Sequence, residues 1–73
     1  MKPKMQIRLW KGSPLIGKTV GEIIKDYGVT VIKVARGREA TNPPPDLVLK
    51  EADYISYVGQ SKECLDILKL SIG

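Results

Sequence analysis

One stretch of this chain has residue types and spacing that match a chemical motif: Gly12-Ser13-Pro14-Leu15-Ile16-Gly17-Lys18-Thr19. It satisfies the pattern of glycine, four residues, glycine, lysine, then serine or threonine. In that motif backbone N–H groups cradle phosphates, the lysine reaches them and the hydroxyl holds magnesium. Three features argue against this chemistry here. Pro14 removes a donor, and Leu15 and Ile16 would crowd an anion. No later apolar strand ends in a free aspartate to serve the magnesium, since Asp53 precedes its strand. A chain of 73 residues cannot supply the parallel sheet that such enzymes use. The plainer reading is that Gly17 permits a tight turn and Thr19 caps a helix.

Other catalytic chemistry is poorly supplied. With no His and one Cys, the chain cannot build a Ser-His-Asp or Cys-His apparatus, an internal disulfide or a soft-ligand zinc site. The acids are scattered, and most have a capping or surface explanation. We therefore expect no catalytic residue, no metal and no cofactor. Asp53 reads as a turn cap, and Cys64 as an inert thiol on an apolar stripe. No run is long and apolar enough to span a membrane, and the N-terminus lacks a secretory signal's apolar region. The lone thiol fits a reducing compartment.

The net charge of +4 is unevenly placed. Lys2, Lys4, Arg8, Lys11 and Lys18 all precede the first acid, Glu22, and the remainder is nearly balanced. A basic end suits nucleic acid, an anionic lipid surface or a phosphorylated ligand, and its plainer reading is a solubilising face or tail. Trp10 and the three tyrosines do not cluster along one strand of the sequence. A small basic nucleic-acid-binding domain is accordingly the alternative reading, and no nucleic-acid partner is expected.

The elements that would position these residues are legible. Met5, Ile7 and Leu9 alternate with Gln6, Arg8 and Trp10, a strand with one wet face that leaves Trp10 partly exposed. Thr19 and Glu22 have capping-box spacing, and Val20, Ile23, Ile24 and Tyr27 follow at helical spacing, up to Gly28. Val29 to Arg36 is β-branched with apolar residues on both faces, a central strand. Gly37 opens a hairpin into a short strand at about Ala40 to Asn42, stopped by Pro43, Pro44 and Pro45. Asp46 can cap one helical turn through Leu47, Val48 and Leu49. Tyr54 to Val58 is the last strand. Ser61 caps a closing helix whose stripe is Cys64, Leu65, Leu68 and Ile72, widened by Ile67. The fold class is α+β: a small antiparallel sheet of about four strands with two helices, in the order β-α-β-β-β-α. A chain this short has little core of its own, so self-association is expected.

This order of motifs resembles the C-terminal domain of RCK/TrkA proteins, the regulators of potassium conductance. Ser13 to Thr19 is similar to that family's entry to its first helix. Tyr27 to Arg36 resembles its "g-v-x-v-x-x-i-x-R" strand, Pro44-Pro45-Asp46 with Leu49 its "P-x-x-x-x-L" crossing, and Asp53 to Gly59 its "D-x-l-x-v-x-G" strand. The resemblance covers residues 5–71 and leaves 1–4 as a basic tail. Ala52 departs from it, because the family usually has glycine before the aspartate; if that turn needs positive φ, Ala52 is strained.

The resemblance implies a cytoplasmic regulatory module, not an enzyme. Such a module pairs as a homodimer and sits peripheral to a membrane transport complex, without inserting in the membrane. The complex is a potassium or other cation channel or transporter. In some members cyclic di-AMP binds in the cleft between two copies. The ligand-contacting residues it suggests are Ile23, Ile24 and Tyr27 on the first helix, Arg36 at the end of the central strand, and Asn42, Pro43 and Pro44 after the short strand. Each has a plainer alternative: helix core for the first three, a surface pair with Glu39 or Asp46 for Arg36, and an edge-strand stop for the others.

Overall fold

The computed structural model describes residues 2–72. The elements are β1 (Lys4–Arg8), α1 (Val20–Tyr27), β2 (Thr30–Arg36), β3 (Glu39–Thr41), β4 (Tyr54–Val58) and α2 (Ser61–Leu70). The four strands form one antiparallel sheet in the order β1-β4-β2-β3. The class and element order match the expectation, and β2 is central.

Local chemistry explains most boundaries. Glu22 N–H donates to Thr19 Oγ1 at 3.2 Å, and Thr19 N–H donates to Glu22 Oε1 at 3.0 Å, a complete capping box. The Thr19 N–H and hydroxyl, both donating to Glu22 Oε1, hold that carboxyl below its ordinary range. Gly28 ends α1 at φ 69°, where a side chain would be strained. The β2–β3 hairpin pairs Arg36 with Glu39, and Gly37 at φ 62° takes the first central position of the turn.

Both helices share one face of the sheet with the core. Ile7 and Leu9 reach it from the first strand and the residue beyond, Val31 and Val34 from β2, Ile55 and Tyr57 from β4, and Val20, Ile23, Cys64 and Ile67 from the helices. A bulge between Val31 and Lys33 lets Val31 and Val34, three residues apart, both point inward. That irregularity is why β2 shows apolar residues on both faces in sequence. The Tyr57 hydroxyl is satisfied inside the core by donating to the Cys64 carbonyl at 2.8 Å. Burial pushes that phenol up to about 12.

Three sequence expectations need correction. Residues 47–49 do not form a helical turn. A turn closes from Leu47 N–H to Pro44 O, and the chain then runs extended against residues 17–20, with Gly17 N–H bonding Leu49 O and Leu49 N–H bonding Lys18 O. Those backbone groups are claimed by a segment distant in sequence, which outcompetes one helical turn. Helix α2 starts one residue early, with Gln60 at its cap and no side-chain cap bond, so Ser61 is inside it. Its buried face is Cys64, Ile67 and Ser71, while Leu65, Leu68 and Ile72 are exposed. The two sets have the same i, i+3, i+7 spacing, so periodicity alone could not choose between them. Ser71 is tolerated inside because its hydroxyl donates to Leu68 O.

The turn before β4 carries the departure noted above. Asp53 N–H donates to Lys50 O at 3.2 Å, placing Ala52 at the third position of the turn with φ 71°. Glycine is preferred there because Cβ crowds the backbone at positive φ. Ala52→Gly should raise the unfolding free energy by about 0.5–1 kcal/mol, the left-handed penalty less the chain entropy that glycine adds. Urea denaturation measures this; a lowered midpoint would show that Ala52 is unstrained.

Candidate functional site

A bidentate ion pair lies at the end of β2. Arg36 Nε donates to Asp53 Oδ1 at 2.9 Å and Nη2 to Asp53 Oδ2 at 2.8 Å, a bidentate fork. Nη2 also donates to the Val48 carbonyl at 3.0 Å, and Asp53 Oδ2 accepts Lys50 N–H at 2.8 Å. Asp53 is 1% exposed. Burial pushes its carboxyl up, but the hydrogen bonds from Arg36 and the Lys50 backbone, with the charges of both side chains, outweigh that and leave it below the ordinary range. Asp53 also raises Arg36. The expected partners of Arg36, Glu39 and Asp46, are thus replaced by Asp53.

Arg36 nonetheless stays accessible. Its side chain is 41% exposed, and among the described residues its Nη1 makes no hydrogen bond. It lines a recess of about 190 Å³ with Val34, Glu39, Thr41 and Leu47. Strand register explains the grouping: Arg36 opposes Glu39 and Val34 opposes Thr41, so all four face one way, and Leu47 closes the side. The recess is mixed in character: Val34 and Leu47 are apolar, and Thr41, one fixed cation and one carboxylate complete its lining.

Asn42, Pro43 and Pro44 follow Thr41 directly; Asn42 and Pro44 are exposed and Pro43 is half-buried. They continue the chain from the recess without lining it. Ile24 is exposed on α1, and Tyr27 is half-buried against the core. Ile23 is 1% exposed and belongs to the core, so its side chain does not reach the surface. The fold does not bring the three α1 residues into the recess of one copy. Sequence reasoning does not place Val34, Glu39, Thr41 or Leu47 at a site, and names Glu39 only as a surface partner for Arg36. Strand alternation across the hairpin would have found the first three, but Leu47 depends on the long-range pairing described above.

The P-loop-like stretch is engaged elsewhere. Leu15 N–H bonds Ser13 Oγ, Ile16 N–H bonds Ser13 O, Gly17 N–H bonds Leu49 O and Lys18 N–H bonds Leu15 O. Leu15 is fully buried, and Lys18 pairs with Asp26 at 3.7 Å. These donors are not free for phosphate. Among the described residues no cluster of acids or Cys could hold a metal, and no helix is long and apolar enough to cross a membrane.

The family model for the TrkA-C domain matches residues 5–71. The chain belongs to the TrkA-C domain family. Among solved structures, the RCK_C domain dimer of S. agalactiae BusR in complex with c-di-AMP is similar with a TM-score of 0.81 and 20% identity, over 96% of this chain and 90% of that one. The RCK C domain of the potassium transport protein KtrA, in complex with c-di-AMP, matches with a TM-score of 0.78 and 20% identity, over 93% and 81%. BusR in complex with its busAB-promotor DNA matches with a TM-score of 0.80 and 21% identity, over 93% of this chain and 35% of that one, so this TrkA-C domain spans about a third of that polypeptide. At these identities the likeness shows the fold. No curated protein matches the chain by sequence.

The Arg36–Asp53 pair makes a pH prediction. Asp53 has a depressed folded-state pKa, so its stabilisation is present above its unfolded value of about 4 and is lost as pH falls through the lower folded value. Asp53→Asn should destabilise the domain at neutral pH by about 1–2 kcal/mol, a charge-assisted pair whose Arg half remains solvated. It should also flatten the loss of stability between neutral and acid pH. Thermal unfolding across that range tests this, and a variant with an unchanged acid limb would contradict it.

Proposed function

We propose that this TrkA-C domain is a dimerising, ligand-sensing regulatory module of a potassium or other cation transport system in the cytoplasm. On this reading two copies meet with their third-strand recesses facing, and cyclic di-AMP or a related small anionic dinucleotide lies between them. The observation that carries the reading is the guanidinium of Arg36, held by Asp53 and Val48 O yet open at Nη1 in a recess it shares with Val34 and Leu47. A single recess of about 190 Å³ is smaller than the roughly 300–1,000 Å³ usual for ligand pockets. Two-fold pairing would double it and present two arginines to a ligand with two phosphates.

Self-association also fits the surface. Ile24, Leu65, Leu68 and Ile72 are exposed apolar side chains on a domain too small to bury them itself. Asn42, Pro43 and Pro44 would form the rim of the shared cleft, where an amide and an apolar ring can meet a base. Ligand bound across the pair would favour one subunit arrangement by its differential affinity, and so bias the attached transport system. The role is regulatory, with no catalytic step.

Sedimentation should show a dimer at micromolar concentration, and calorimetric titration with cyclic di-AMP should give one ligand per two chains. Arg36→Ala should weaken binding about tenfold or more, as expected for losing charge-assisted hydrogen bonds. A persistent 8.1 kDa monomer, or full affinity in the Arg36 variant, would contradict the reading.

A further inference from the structure

The face of the sheet opposite the helices is uncovered and carries positive charge only. Lys4 and Arg8 reach it from β1 and Lys33 from β2, while the partner positions on β4 are Val58, Tyr54 and Ser56. The acids all lie elsewhere: Glu22 and Asp26 on α1, Glu63 and Asp66 on α2, Asp46 and Glu51 in loops, Glu39 in the recess and Asp53 beneath Arg36. Between Lys4 and Lys33 lies a trough of about 390 Å³, floored by the small residues Ala35, Ala40 and Ser56.

Two aromatic rings lie at the Arg8 end of the same face, outside the residues that line the trough. Arg8 stands opposite Tyr54 in the ladder, and its guanidinium lies over the Trp10 ring at 4.2 Å. Tyr54 is 44% and Trp10 50% exposed. In sequence these residues are scattered; pairing of β1 with β4 gathers them at one end of one face. The arrangement combines a cationic track, exposed rings on which bases can stack, and small residues that allow close approach.

We propose that the outer face of this sheet binds single-stranded nucleic acid. Phosphates would lie along Lys4, Arg8 and Lys33, with bases stacking on Tyr54 and the free side of Trp10. An acidic protein segment would satisfy the cations but leave the two rings unused, so the nucleic acid is the better match. This surface is separate from the third-strand recess, and the proposal does not depend on cyclic di-AMP binding there.

Trp10 is the sole tryptophan, so its fluorescence reports directly on this face. Titrating the full chain with oligothymidylate at low ionic strength should quench it saturably. Binding should weaken with salt at a log–log slope of about −2, the value for three phosphate contacts on a single strand. Lys33→Glu should weaken binding at least fivefold and Tyr54→Ala about tenfold, while the charge-matched Lys62→Glu on α2 leaves it unchanged. The proposal is overturned by absence of quenching, by equal losses in the Lys33 and Lys62 variants, or by polyglutamate displacing the oligonucleotide as effectively as a second oligonucleotide does.

Discussion

The bidentate contact between Arg36 and Asp53 closes the end of the β2–β4 ladder, one position beyond the Ala35–Tyr54 pair, and through Val48 ties it to the segment at 47–49. Asp53 ends the turn before β4, Arg36 ends β2, and Val48 belongs to the extended segment against residues 17–20. An almost fully buried carboxylate must be paired, or it costs several kcal/mol of desolvation. The guanidinium and the Lys50 N–H meet that need. The same fork orients Arg36, so one end of the guanidinium is structural while the other remains available at the recess. The turn that delivers Asp53 holds Ala52 at positive φ, a local strain that the surrounding contacts sustain.

Local signals explain what was legible in the sequence. The capping box of Thr19 and Glu22, the stop at Gly28 and the hairpin at Gly37 depend on residues within a few positions of each other. The alternation of β1 placed Trp10 on the wet face, where it is found. The P-loop-like motif does not form a phosphate cradle, because its donors are spent on turns and on the segment at 47–49. The family motifs also mark Ala52, at φ 71°, as a departure from glycine.

Long-range pairing explains what was not legible. Nothing near Asp46 indicates that Leu47 and Leu49 are claimed by Val20 and Gly17. Nothing near Arg36 distinguishes Asp53 from the nearer Glu39. On α2, Leu65, Leu68 and Ile72 outrank Cys64, Ile67 and Ser71 in apolarity, yet the less apolar set faces the sheet. The trio expected on α1 divides, because Ile23 is core while Ile24 is exposed. Of the residues expected at a ligand site, only Arg36 lines the recess directly.

The molecule thus presents two chemically different surfaces: a recess with one fixed arginine beside apolar side chains, and an outer sheet face with cations and rings. The central claim concerns the first, that Arg36 as held by Asp53 is the anchor of the regulatory ligand. Chemical-shift mapping of the isotope-labelled chain with cyclic di-AMP tests it most directly. The account predicts the largest changes at the Arg36 Nε–H and at the amides of Glu39, Thr41, Asn42 and Leu47. Changes confined to α2 or to β1, with Arg36 unmoved, would contradict it.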